Sequence, residues 1–130
     1  GAQAGSSGYL DFEAQPDLLK SQVKDQKANQ YQSFNEALID LKNDRIDALL
    51  IDRVYANYYL QSEGILNDYN VFSAGFESEA FAVGVRPADK TLLAALNQAF
   101  ISLYQEGKFQ EISQKWFGED VATSQVKNQE

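Results

Sequence analysis

Histidine and cysteine are both missing from the 130 residues. Without imidazole there is no histidine general base, no Ser-His-Asp triad and no histidine metal ligand. Without thiols there is no cysteine nucleophile, disulfide, thiolate zinc site or iron–sulfur cluster. No apolar run approaches the roughly 18–20 residues that span a bilayer. Positive charge is scarce: Lys+Arg 11 stand against Asp+Glu 19, a net charge of −8 with a pI near 4.5. Phosphate binding needs clustered cations, so this balance argues against nucleic acid. Lack of cysteine fits either side of a membrane. The sequence opens at Gly1 without a signal peptide, which suits a processed or truncated chain as well as a cytosolic one.

What is present describes a folded chain. Hydrophobic residues make up 44% and charged residues 23%, and 8 Phe, 7 Tyr and 1 Trp supply core material. Disorder throughout is therefore not expected. The length suits one domain.

The clearest element runs from Ser33 to about Asn43. Ser33 and Glu36 form a capping box, and Phe34, Ala37, Leu38 and Leu41 fall on one apolar stripe. Ala48-Leu49-Leu50-Ile51 is an apolar run of four between Asp47 and Asp52, the pattern of a strand buried on both faces of a parallel sheet. Arg53 to about Ser62 reads as a helix that stops at Gly64. Val71-Phe72 and Ala80–Val85 are strand candidates, the second ended by Pro87. A long helix is expected from about Ala88 to Glu106, with Gly107 past its end. A shorter one carries Phe109, Ile112 and Trp116 and closes at Gly118. Residues 119–130 read as a loose polar tail.

At the start, Ala2-Gln3-Ala4 reads as a strand stub, Gly5-Ser6-Ser7-Gly8 as a turn, and Tyr9 and Phe12 as the opening of a helix that Pro16 interrupts. Leu18, Leu19 and Val23 belong to a further turn or helix, and Tyr31 to a short strand. Alternating strands and helices point to an α/β fold with a mainly parallel sheet flanked by helices. The Ser-Gln-Val-Lys repeat at 21–24 and 124–127 is at chance level.

Two places can carry chemistry. Free N–H groups and the positive dipole end at the start of a helix make Gly5-Ser6-Ser7-Gly8 a candidate anion site, with two hydroxyls adding donors. Ser and Gly also favour a plain N-cap turn, which is the commoner use. Asp52 lies just past the carboxyl end of an expected buried strand, where ligands of open α/β sheets bind. Such a carboxylate needs donors or a cation, and a ligand ammonium is one choice. Capping the next helix, or pairing with Arg45 or Arg53, is the other. If the stub and the strand before Asp52 are neighbours, the two places share one rim and together fit a free α-amino acid.

Signals for catalysis are thin. Ser21-Gln22-Val23-Lys24 has S-x-x-K spacing, but S-D-N and K-T-G are missing. G-x-S-x-G, the phosphate loop and G-x-G-x-x-G do not occur. Asp40 and Asp44, interleaved with Lys42 and Arg45, read as a solvated helix face. Tyr55, Tyr58 and Tyr59 form an aromatic group that is expected to be mainly core, with at least one ring left to reach a ligand.

Several stretches together resemble the second half of an amino-acid-binding protein of an ABC importer, in the two-lobed periplasmic-binding-protein-like type II class. They are residues 1–8, Ala37 to Asp52, Ala80 to Arg86, and Gly107-Lys108-Phe109 through Trp116-Phe117-Gly118. The wording is most similar to Gram-positive, streptococcus-like lipoproteins for polar amino acids or cystine. The resemblance implies that Ser6, Ser7 and the Gly8 N–H hold the ligand α-carboxylate. It implies that Asp52 binds the α-ammonium and that Gln3 faces the ligand side chain. Residues 1–80 would be ligand-binding lobe two. Residues 81–118 would form the crossover strand and C-terminal helices that pack on lobe one, and 119–130 the polar tail.

Implied partners are an amino acid and a membrane ABC permease, with no nucleic acid, no metal and no cofactor. The implied location is the outer face of the cytoplasmic membrane, lipid-anchored. The lobe-one arginine that clamps the carboxylate in this class is not in this chain, so binding by these residues alone is expected to be weak. The stripe of Leu92, Leu96 and Leu103 with Phe109, Ile112 and Trp116 has lost its lobe-one cover. It must fold back or pair with a second copy as a homodimer by segment exchange. A cyclohexadienyl-dehydratase-like enzyme or a receptor sensing domain on the same fold are the alternative functions.

Overall fold

The computed structural model describes residues 1–128. The chain divides into two compact units rather than the one expected from its length, and they do not follow the sequence in single blocks. The first comprises 1–56 and 69–77, the second 57–68 and 78–130.

The first unit is the α/β part. Strand β1 (Ala2–Gln3) pairs in parallel with β2 (Gln30–Tyr31), in the register Ala2 opposite Gln30 and Gln3 opposite Tyr31. On its other side Ala2 forms a parallel bridge with Leu50, and the Leu50 N–H donates to the Gly1 carbonyl at 2.9 Å. The stub is thus the middle of three parallel segments. Helices α1 (Ser7–Ala14) and α2 (Phe34–Lys42) both pack on β1. Ala2, Phe12, Ala37, Leu38, Ile46 and Ala56 are the buried apolar residues of this unit.

Local sequence explains the start of α2. Ser33 Oγ accepts the Glu36 N–H at 3.3 Å, and Glu36 Oε2 reaches back to the Gln32 N–H at 3.1 Å. The reciprocal cap is therefore present with its return bond one residue earlier than the motif predicts. On the same helix Asp40 accepts from Arg45 and from the Tyr31 hydroxyl, each at 2.9 Å. What reads as a solvated face is partly a tie between α2 and β2. Between α1 and β2 the chain makes two 3₁₀ turns, Lys20–Gln22 and Lys24–Gln26, and Asp25 and Gln26 both take positive φ.

Helix α3 (Arg53–Ser62) contributes residues to both units. The rest of the second unit is helical: α4 (Lys90–Gln105), α5 (Lys108–Phe117) and α6 (Ser124–Asn128). Phe109 meets both Phe100 and Tyr104 with ring centroids 6.3 and 6.2 Å apart, fixing α5 against α4. Tyr58 lies 6.2 Å from Trp116, and Asn57 Nδ2 donates to Glu119 Oε1 at 2.7 Å.

Three strand expectations and the loose tail are corrected. Residues 48–51 make one bridge, at Leu50, and Ala48 is exposed. Val71-Phe72 and Ala80–Val85 form no strand, and Phe72, Phe81 and Val83 stand 78, 71 and 55% exposed. A strand needs a neighbour for its N–H and C=O groups, and these stretches find none among the described residues. The tail departs in the other direction. Residues 124–128 are helical and pack on α4, and Lys127 pairs with Asp120 at 3.2 Å. Residues 129–130 of the expected tail lie outside the described part.

Candidate functional site

The parallel arrangement brings the two sequence candidates to one rim. The Gly-Ser-Ser turn follows the carboxyl end of β1. Asp52 follows the segment bridged to β1 through Leu50. Gly8 approaches that segment closely, since a β-carbon there would sit 3.5 Å from Leu50 Cγ. In open parallel sheets this end of the strands is where ligands bind.

Gly5 makes the turn possible. Its φ of +71° lies in the left-handed region, where a β-carbon is costly. The chain then re-enters extended geometry at Ser6, the N-cap of α1. The Ser6 hydroxyl accepts the Tyr9 N–H at 3.2 Å and donates to the Gln3 carbonyl at 2.9 Å. The plain N-cap role is therefore real, and the hydroxyl proton of Ser6 is already used. The Gly8 N–H, in the first turn, has no acceptor among the described residues. Ser7 is exposed and opens the helix. What this corner offers an anion is chiefly backbone N–H at the positive end of a helix.

Asp52 is also a cap. Its Oδ1 accepts the Tyr55 N–H at 2.7 Å, which starts α3. Arg45, one of its sequence-level alternatives, is instead engaged by Asp40. Asp52 is half-buried, and its Oδ2 has no partner among the described residues. One oxygen thus orders the helix while the other remains an acceptor. Gln3 is half-buried on β1, with Nε2 donating to the Gln32 carbonyl at 3.2 Å.

Sequence reasoning placed Phe34 on an apolar stripe and Tyr55 in an aromatic group with one ring left to reach a ligand, but passed over their contact and Asn35. Phe34 and Tyr55 have ring centroids 5.2 Å apart, and the Tyr55 hydroxyl donates to Asn35 Oδ1 at 3.1 Å. The contact joins the first turn of α2 to the first turn of α3, next to Asp52. Of the three tyrosines, Tyr55 and Tyr58 keep exposed edges. Ser21 and Lys24, the S-x-x-K pair, lie exposed on separate 3₁₀ turns. Among the described residues no group of three or more Asp or Glu could hold a metal, and no helix is long and apolar enough to cross a membrane.

Comparison with known proteins adds three findings. Residues 20–119 match the model of bacterial extracellular solute-binding proteins, family 3. The ABC transporter arginine-binding protein 1 of Escherichia coli is 32% identical over 102 residues, covering 76% of this chain and 42% of that protein. Two solved structures also match. One is a polar amino acid ABC uptake transporter substrate-binding protein from Streptococcus thermophilus, at 62% identity and TM-score 0.82. The other is an ABC uptake transporter substrate-binding protein from Streptococcus pneumoniae with bound histidine, at 74% identity and TM-score 0.73. The chain covers 48 and 50% of these two, and they cover 98 and 95% of it. It therefore spans about half of each solved relative.

Proposed function

The chain belongs to the bacterial extracellular solute-binding proteins, family 3, and from that membership we propose that it forms the part of an ABC importer's binding protein that holds the main-chain groups of a free polar α-amino acid. The reading rests on one juxtaposition. The Gly8 N–H in the first turn of α1 and an acceptor oxygen of Asp52 follow neighbouring parallel segments. The Ser6-Ser7-Gly8 corner receives the α-carboxylate, and Asp52 Oδ2 receives the α-ammonium. Gln3, rooted between them on β1, faces the ligand side chain. Ser6 acts by ordering the corner, since its own proton is engaged with Gln3.

No bond of the ligand is made or broken in this function. Capture needs opposite charges met by opposite partners in a site closed from water. Half of such a site leaves the ligand partly solvated, so tight binding requires the remaining portion of the full-length protein. In that protein, lipid-anchored at the outer face of the membrane, the closed liganded form is what the permease recognises. In the 130-residue chain, the exposed face of α4 and α5, with Leu92, Leu103, Ile112 and Trp116, pairs with a second copy by segment exchange.

A thermal-shift screen of the full-length protein against every amino acid and cystine tests the assignment. Histidine is the first ligand to try, given the relative solved with it. A cognate ligand at a hundred times its Kd stabilises the fold by about 2.7 kcal/mol. A flat response to every amino acid refutes the reading.

A further inference from the structure

A carboxylate that meets an ammonium works best when it is held still beforehand, because ordering a side chain on binding costs affinity. The tether on Asp52 is the bond from the Tyr55 N–H to Oδ1 at 2.7 Å. That tether lies in the first turn of α3, and helix ends fray. What keeps Tyr55 in place comes from outside its own helix. Its ring lies against Phe34, and its hydroxyl donates to Asn35 Oδ1 at 3.1 Å. The side chain is thus tied to the first two residues of α2. Those two are fixed in turn. Ser33 Oγ and Glu36 Oε2 close the start of α2, and α2 packs on β1. Strand β1 leads into the Gly-Ser-Ser corner. A continuous line of contacts therefore runs from the strand below the corner, through α2 and Tyr55, to the carboxylate of Asp52. Burial does not account for its last link. Tyr55 stands 36% exposed, and phenylalanine would serve the ring contact equally well. The hydroxyl adds direction.

Building on the amino-acid reading above, we propose that Tyr55 and Asn35 are positioning residues for the ammonium end of the site: through the Tyr55 N–H they hold the Asp52 carboxylate at a fixed place relative to the β1 corner, so that one frame presents partners for both charges of the zwitterion. Neither side chain touches the ligand. The consequence is selective. A ligand that keeps its carboxylate and side chain but lacks the α-ammonium gains nothing from a well-held Asp52. Loosening the tie therefore weakens the amino acid and spares the des-amino analogue. An exposed hydrogen bond contributes little to the fold, so the effect appears in recognition more than in melting.

The test is calorimetry on the full-length protein with histidine and with imidazolylpropionate, the same molecule without its ammonium. Wild type is compared with Tyr55→Phe, Asn35→Ala and the double variant. Each single change should lower histidine affinity about three- to tenfold, the cost of re-ordering one side chain. The double variant should lose no more than either single one, since all three break the same bond. Imidazolylpropionate affinity should stay level. The ratio of the two affinities is the quantity read, so a general loss of folded protein cancels. If the wild type takes a different amino acid, that amino acid and its des-amino counterpart form the pair. An unchanged ratio overturns the inference and leaves amino-acid capture intact. So does a loss in Tyr55→Phe that Asn35→Ala does not share, which would put the hydroxyl on the ligand itself. A wild-type protein that binds no amino acid at all overturns both together.

Discussion

Asp52 does two jobs with two oxygens, and two substitutions separate them. Asp52→Asn keeps a good N-cap, because Asn serves that position as well as Asp does. It removes the negative charge at the positive end of α3, worth about 0.3–1 kcal/mol of stability. Asp52→Ala removes the 2.7 Å bond to Tyr55 N–H as well, a further loss of about 0.5–2 kcal/mol. For the ligand both changes are alike, since the charged partner of the ammonium is gone. A hydrogen bond to a charged group contributes about 1.5–3 kcal/mol, so affinity should fall roughly 10- to 150-fold in either variant. Urea denaturation and calorimetry on the full-length protein measure the two quantities separately. The expected pattern is a graded stability loss, Ala worse than Asn, with equally damaged binding. Asp52→Asn binding its amino acid as tightly as wild type would refute the assignment of the ammonium site.

Other outcomes follow from the same coordinates. Phe12→Ala empties a fully enclosed position, 2% exposed. It should cost about 3–5 kcal/mol in a urea melt, and a loss below about 1 kcal/mol would contradict its place in the core. Asp40 is held below the ordinary carboxylate range, first by its bond to Arg45 and then by the Tyr31 hydroxyl. A depressed carboxyl stabilises the fold above its unfolded pKa and loses that contribution as pH falls through the folded one. Wild type should therefore lose stability below about pH 4 more steeply than Asp40→Asn, and parallel melting curves against pH would exclude this role. Light scattering of the 130-residue chain should give twice 14.5 kDa if a second copy covers α4 and α5. A strict monomer at every concentration removes segment exchange.

Helices α2 to α5 were legible because their signals are local, whereas α6 falls in the stretch read as a loose tail. Ser33 and Glu36 mark the start of α2 within four residues, and Gly107 and Gly118 mark where α4 and α5 stop. The strands were legible only in part: the stub at Ala2–Gln3 and the short strand at Tyr31 are there as β1 and β2, and the longer candidates are not. Ala80–Val85 has the composition of a strand, and composition says nothing about whether a partner lies alongside. The same gap affected 48–51, where a single bridge to Ala2 replaces the expected buried strand. The candidate site was readable in part: Gly5 through Gly8 and Asp52 stand out as residue types, and their adjacency follows from the order of the segments. The division of labour between the oxygens of Asp52, the committed proton of Ser6 and the tie from Tyr55 to Asn35 depend on who bonds to whom. Residue type and spacing do not display that; it is set by tertiary placement.

The bare stretch Ala-Phe-Ala-Val-Gly-Val at 80–85 has a cost in handling. Its backbone makes no main-chain hydrogen bond among the described residues, and its apolar side chains are open to neighbours in concentrated solution. Stacked copies could satisfy one another in a fibril. Glu77, Glu79 and Arg86 flank it as electrostatic guards. Pairing between copies needs two chains to meet, so concentration is what brings this stretch out of solution.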